Sequence, residues 1–190
     1  IRYSKVPVLA INGELPPGGI KRVVIPSDFS GLSVSALEYA ASMASSFGTS
    51  ITMLHVMELY GSPLENIPKD KGEAGRGDLD SLSKKVIKKI KKYLDENELG
   101  EERWYLDEVE GEYYLKPLEG QDKHIKFNVV VLRGVSAHYE ISEYANAESD
   151  IIVMATHGRS GFSHLFLGST TEKVMLSSQV PVLTIRPKKK

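Results

Sequence analysis

The residues of this chain able to do chemistry concentrate in one stretch, residues 150–176. An apolar run, Ile151-Ile152-Val153-Met154-Ala155, is followed at once by Thr156-His157-Gly158-Arg159-Ser160-Gly161 and, after a short apolar segment, by Gly168-Ser169-Thr170-Thr171-Glu172. The run has the length and β-branched content of a strand buried on both faces. Ser169 and Glu172 stand three apart, the spacing of a capping box, which predicts a helix with Ser169 as its N-cap. Strand, glycine-rich loop and helix N-terminus together outline an anion site. The first turn of a helix carries unpaired N–H groups and the positive end of the macrodipole, and a phosphate reaches them only where no Cβ intervenes. Gly158, Gly161 and Gly168 would clear that approach. Ser169 and Thr170 would offer hydroxyls, and Arg159 a fork of donors. The same spacing serves equally a tight strand-to-helix turn that needs glycine for positive φ and binds nothing. The pattern G-x-x-x-x-G-K-S/T is absent, which sets P-loop NTPases aside.

Composition narrows the remaining classes. A chain of 190 residues, 41% hydrophobic and 26% charged, can bury one full core in an ordinary globular balance. Its net charge of −1 lacks the basic surplus of a general nucleic-acid binder, so no nucleic-acid partner is expected. The absence of cysteine removes disulfides, thiolate metal sites and cysteine nucleophiles together. His55, His124, His138, His157 and His164 are scattered along the chain. They form no metal-ligand pattern, and His157 has no carboxylate nearby in sequence to make it an acid or base, so neither catalytic nor metal residues are expected. No stretch has the length of a membrane span and no signal peptide opens the sequence, so a soluble cytoplasmic protein without a membrane partner is expected. The first residue is Ile1, as in a fragment or a processed form.

The elements that would position the loop read as an alternation of strands and helices. Strands are predicted near residues 22, 52, 128, 152 and 182. Helices are predicted over 32–47, with Val34, Leu37, Ala41 and Ala44 inward and Gly48 as stop, over 79–99, and over 137–147, with Ile141, Tyr144 and Ala145 inward. The 79–99 helix carries Leu79, Leu82, Val86, Ile90 and Leu94 on one stripe and six lysines elsewhere, which reads as a solvated face. Residues 57–78, rich in Gly, Pro and charge, read as a mobile loop, and the 188–190 tail as disordered. Residues 100–126 break the alternation. Trp104-Tyr105-Leu106 and Tyr113-Tyr114-Leu115 around Glu110-Gly111 predict an inserted β-hairpin whose aromatics cover the domain's own flank. The fold class is therefore α/β, an open five-stranded parallel sheet with helices on both faces, with ligands expected where the strand order reverses.

One short repeat stands apart. Residues 4–11 read Ser-Lys-Val-Pro-Val-Leu-Ala-Ile and residues 178–185 read Ser-Gln-Val-Pro-Val-Leu-Thr-Ile, identical except at Lys5/Gln179 and Ala10/Thr184. This suggests that residues 1–11 correspond to the final strand of a preceding, similar domain, that 12–20 are a linker, and that the main domain occupies 21–187. Pro7 and Pro181 each remove a ladder donor, which places both strands at or near an edge, where they could pair.

From about Lys21 to Pro187 the chain resembles a universal stress protein domain, a Rossmann-like fold akin to adenine nucleotide alpha-hydrolases. The resemblance rests on Val-Val-Ile-Pro-Ser-Asp-Phe-Ser at 23–30, on Ala155-Thr156-His157-Gly158 followed by nine residues and Gly168-Ser169, and on Val180-Pro181-Val182-Leu183. The family frame is G-x-x-G, nine residues, G-S/T; Ala155 stands where its first glycine would. The resemblance implies an ATP-binding stress-response regulator, with Mg2+ as an optional companion. Pro26, Ser27 and Asp28 would then lie at the base and ribose, Val56 beside the adenine, and Met154, Ala155, His157, Gly158, Arg159, Gly168, Ser169 and Thr170 around the ribose and phosphates. It also implies a homodimer, or an intramolecular pseudo-dimer, through residues 180–185. Two alternatives stay open: a dimerising module of the same fold that binds no nucleotide, and a slow ATP hydrolase. Asp28 equally suits a helix cap.

Overall fold

The computed structural model describes residues 4, 6–13, 15–58, 76–99, 102–119, 123–156 and 167–186. In chain order the elements are β1 (Val8–Ala10), β2 (Arg22–Pro26), α1 (Gly31–Val34), α2 (Ala36–Phe47), β3 (Ser50–Glu58), α3 (Arg76–Glu96), β4 (Trp104–Val109), β5 (Glu112–Pro117), β6 (Ile125–Gly134), α4 (Ala137–Glu148), β7 (Ile151–Ala155), α5 (Ser169–Ser177) and β8 (Val182–Ile185). Of the loop expected over 57–78, residues 57–58 extend β3 and 76–78 open α3; the rest, like the 188–190 tail, lies outside the described residues.

Five parallel strands form the centre in the order β8-β7-β2-β3-β6. Their β-branched residues suit strands covered on both sides, and side chains alternate between two cores. Val23, Ile25, Ile51, Met53, Ile151 and Val153 pack with α2 and α3, while Val24, Leu54, Ile152, Met154 and Val182 pack with α4 and α5. Burial of each such side chain contributes about 1.5–3 kcal/mol. On the α1, α2 and α3 stripes, Val34, Leu37, Ala41, Ala44, Val86, Ile90 and Leu94 are buried as expected, whereas Leu82 and, on α4, Tyr144 are half-buried.

The sheet has eight strands rather than five beside a separate hairpin, because both flanks are extended by antiparallel pairing. The β4–β5 hairpin joins β6 through Tyr113↔Phe127 and Leu115↔Ile125, and β1 joins β8. Glu110 and Gly111 close the hairpin with φ of 52° and 82°, the paired left-handed residues that match strand twist in a two-residue loop. Trp104, Leu106 and Leu115 bury themselves on the α3 side. The expectation that all four aromatics cover the flank holds for Trp104 and for the half-buried Tyr113; Tyr105, one position along from Trp104, is on the other face and 39% exposed. That face carries the ion pairs Lys116–Asp107 at 2.7 Å and Lys126–Glu112 at 2.6 Å.

The helix expected over 32–47 is divided at Ser35. The hydroxyls of Ser33 and Ser35 donate to the carbonyls of Ser30 and Leu32 at 3.0 and 2.6 Å, a competition with the main-chain ladder that separates α1 from α2. Gly48 ends α2 as expected, with φ 66° and its N–H on the Ala44 carbonyl at 2.8 Å. At the N-terminal rim of the sheet, the Asp150 carboxylate accepts from the main-chain N–H groups of Lys21 and Arg22, both at 2.8 Å, and from the Arg22 guanidinium at 2.9 Å. Burial alone would raise its pKa, but these donors outweigh that and hold the carboxyl below the usual carboxylate range.

Candidate functional site

From β2 the chain proceeds to β3 and β6 on one side, while β7 and β8 lie on the other. The order therefore reverses between β2 and β7. At such a reversal the loops leaving two adjacent parallel strands diverge to opposite faces and leave a crevice beyond their carboxyl ends. Pro26, Ser27 and Asp28 leave β2 at this point, and Met154, Ala155 and Thr156 leave β7. Pro26 pairs with Leu54, so Asp28 leaves β2 beside the strand that carries Val56. The residues expected to hold base and ribose are thus assembled by three adjacent strands.

The β2 exit is held in one conformation by several bonds. Ser27 is buried; its N–H donates to the Leu54 carbonyl at 2.8 Å, its Oγ lies 2.9 Å from that of Ser33, and its carbonyl is 2.8 Å from His55 Nδ1. Phe29 has φ 62°, a left-handed backbone that an L-aromatic rarely adopts. Its N–H donates to Ser27 Oγ at 3.1 Å, its ring centroid lies 4.2 Å from that of His55, and Lys89 Nζ sits 5.0 Å above it. Asp28 Oδ1 accepts from the N–H and the hydroxyl of Ser30 at 3.0 and 2.6 Å. Ser30 in turn is the N-cap of α1, accepting from the Ser33 N–H at 3.1 Å. Asp28 therefore braces the cap rather than making it.

Across the crevice, the end of β7 is bonded to the start of α5. The Thr156 N–H donates to the Ile185 carbonyl and the Gly168 N–H to the Thr156 carbonyl, both at 2.8 Å. The buried Thr171 hydroxyl donates to the Ala155 carbonyl at 3.1 Å. The first turn of α5 is thereby pinned to the end of β7. His157, Gly158 and Arg159 lie outside the described residues.

The helix start differs by one residue from the sequence expectation. Gly168, not Ser169, is the N-cap of α5, with φ −58°, ψ 138° and no side-chain capping bond. The Gly168 N–H is fixed by Thr156, and that closure sets where the helix begins. Ser169 is consequently the first helical residue, so its hydroxyl does not serve as the cap. The N–H groups of this first turn have no carbonyl within the helix to receive them, and Ser169 is exposed with Thr170 half-buried. Ala155 ends β7 in extended backbone and is not among the residues with positive φ. An alanine in the place of the family's first glycine therefore introduces no backbone strain. Sequence reasoning did not single out Thr171, Phe29 or Lys89. A hydroxyl three residues beyond Gly168 was the available signal for the first; nothing in the sequence signals a left-handed phenylalanine.

Residues 19–186 match the Universal stress protein family. The chain belongs to that family. It is 28% identical over 192 residues to universal stress protein MJ0531 of Methanocaldococcus jannaschii, an alignment that spans 100% of this chain and 94% of that protein. Among solved structures, that of MJ0577 superposes with a TM-score of 0.55 at 22% identity, over 90% of this chain and 99% of the other. Two further solved members carry adenine nucleotides. One universal stress protein is in complex with cAMP, with a TM-score of 0.51 at 14% identity over 88% of this chain and 97% of that one. Another, from Archaeoglobus fulgidus, is in complex with dAMP, with a TM-score of 0.50 at 15% identity over 88% and 98%. These likenesses establish the Rossmann-like fold of the family. Among the described residues no helix is long and apolar enough to cross a membrane.

Proposed function

We propose that this chain is an ATP-binding domain of the universal stress protein family, acting as a cytoplasmic regulatory module in the stress response. The observation that carries the reading is the crevice between β2 and β7, with a helix N-terminus that lacks a side-chain capping bond fixed at its edge by Thr156 and Thr171. Pro26, Ser27, Asp28 and Val56 take the base and ribose. Met154, Ala155, His157, Gly158, Arg159, Gly168, Ser169 and Thr170 surround the ribose and phosphates, with α5 facing its positive end to the charge. The cAMP and dAMP carried by family neighbours support an adenine nucleotide. No group of three His, Cys, Asp or Glu side chains is assembled among the described residues, so Mg2+ accompanying ATP would be coordinated chiefly by phosphate oxygens and water. In this reading any turnover of ATP is slow, since the histidines scattered along the sequence offer no evident general base.

In the same reading, residues 1–11 stand for the last strand of a preceding like domain, and the edge 180–185 pairs with another domain of this kind, in a homodimer or within one chain. The bonds from Asp28 to Ser30 favour a second reading, a nucleotide-independent interaction module, because they give that carboxylate a structural role. Equilibrium titration with ATP and Mg2+, after mass spectrometry for nucleotide retained through purification, separates the two. Saturable binding at micromolar ATP supports the first reading, and no binding at millimolar ATP leaves the second.

A further inference from the structure

The repeat noted in the sequence meets itself in the fold. Val8, Leu9 and Ala10 are the counterparts of Val182, Leu183 and Thr184. In the antiparallel register, Val8 pairs with Thr184, Leu9 with Leu183 and Ala10 with Val182. Each residue of β1 thus faces the counterpart of its own mirror position, and the central leucine faces its own equivalent. That is the arrangement of an isologous two-fold contact, here made by two unequal copies within one chain. A second copy's β8 would fit the same edge with the same residue types opposed. It would add one bond as well. The Thr184 hydroxyl, which donates to the Val8 carbonyl at 3.1 Å, would donate to the partner's Val182, and the partner's Thr184 would return the bond that Ala10 has no hydroxyl to make.

β1 also carries a fastening that its counterpart lacks. Asn12 Nδ2 donates to the carbonyls of Met175 and Ser178 at the C-terminal end of α5, groups that a helix leaves without partners of its own. Gly13 lies so close that a Cβ there would sit 2.7 Å from the Gln179 carbonyl oxygen. The corresponding positions after β8 are Arg186 and Pro187, so neither feature belongs to the repeat. From these observations we infer that β1 is a cis-acting cap on a self-pairing edge: it holds the place of β8 from a second copy of this chain, latched by Asn12 on α5. The inference rests on the pairing edge of the proposed function and adds its regulation: with the cap seated the edge is closed, and with the cap released two copies join through β8.

The linker gives the cap its advantage. β1 and β2 are separated by β8 and β7, a lateral span of about 14 Å at ~4.8 Å per strand, which residues 11–21 cross with slack. A tethered segment of this reach has an effective concentration on the order of millimolar, so it outcompetes a second copy at micromolar concentration by about a thousandfold.

The chain has no cysteine, so introduced thiols report pairing directly. Leu183→Cys places a thiol on the two-fold position, where it meets itself only in a β8–β8 dimer. In the intact chain we expect this variant to sediment as a monomer and to resist oxidative cross-linking. Adding N12A and L9D, both at exposed positions, should unseat β1 and raise the disulfide-linked dimer at least about tenfold. Leu9→Cys with Leu183→Cys should instead close a disulfide within one chain, since directly opposed residues lie within reach. Equal cross-linking of Leu183→Cys with and without the unseating changes overturns the cap and leaves the pairing edge standing. An unseated chain that is folded by circular dichroism yet stays monomeric overturns the edge itself. Should the unseated chain lose its fold, the double-cysteine variant decides alone, and a majority of interchain disulfides overturns the cap. None of these readouts depends on nucleotide binding.

Discussion

Thr171→Val tests how the start of α5, where the proposed function places the phosphates, is anchored to β7. The Thr171 side chain is 4% exposed and Ala155 6%, and their hydroxyl-to-carbonyl bond of 3.1 Å closes a 16-residue separation. Valine keeps the shape and removes the donor. Leaving a buried acceptor without this partner costs about 1–3 kcal/mol, and the added methyl returns up to ~1 kcal/mol of apolar burial, so a net loss of about 1–2 kcal/mol is expected. For a chain of this size that lowers Tm by roughly 2–8 °C. Thr171→Ser keeps the donor and should lie nearer the parent. The bond pins the first turn of α5 to the end of β7, where the proposed function places the phosphates, so ATP affinity should also fall in the valine variant by about threefold or more, while serine retains it. Urea denaturation and ATP titration of the three proteins provide the comparison. If valine matched the parent in both while serine was the weaker, the anchoring role of this hydroxyl would be refuted.

Three other outcomes follow from the packing. Asp150 has a folded-state pKa below its unfolded value of about 3.9, so its contribution to stability is present above that value and is lost as pH falls through the lower folded pKa. The stability gap between the parent and Asp150→Asn should therefore be full at neutral pH and shrink below about pH 4 in urea titrations; a constant gap would contradict the assignment. Phe29→Ala keeps the left-handed backbone and loses the His55 and Lys89 contacts, whereas Phe29→Gly loses the same contacts but relieves the backbone. Alanine should be the less stable of the two by about 1 kcal/mol, and the reverse order in thermal denaturation would argue against strain at this position. Leu115, fully buried in β5, should lose about 2–5 kcal/mol on truncation to alanine if the hairpin is part of the common core, and an unchanged urea midpoint would make the hairpin an independent appendage.

The parallel centre was legible because its strands are short β-branched runs bounded by glycine, proline and polar residues, and because helical stripes such as Leu37-Ala41-Ala44 carry their period openly. Trp104-Tyr105-Leu106 and Tyr113-Tyr114-Leu115 around Glu110-Gly111 announced a hairpin but said nothing of its neighbour, since joining β6 depends on contacts far apart in sequence. The division at Ser35 arises from serine hydroxyls competing locally with the helix ladder, which a count of apolar spacing does not register. The helix start moved from Ser169 to Gly168 for a tertiary reason: the Thr156 carbonyl takes the Gly168 N–H and fixes the turn there. At the site, the β2, β3 and β7 exits were readable from strand order, as was the edge for residues 4–11. The left-handed Phe29 was not, because its compensation comes from His55 and Lys89 on other elements.

The central claim is that an adenine nucleotide binds at the strand-order reversal. It is tested most directly by following backbone amide resonances of isotopically labelled protein as ATP and Mg2+ are added. Saturable shifts concentrated at Ser27, Asp28, Val56, Met154, Ala155, Thr156 and Gly168 through Thr171, with Lys21, Arg22 and Asp150 at the opposite rim unmoved, are the predicted result. Shifts confined to the hairpin or the β1 edge, or none at millimolar ATP, would contradict it.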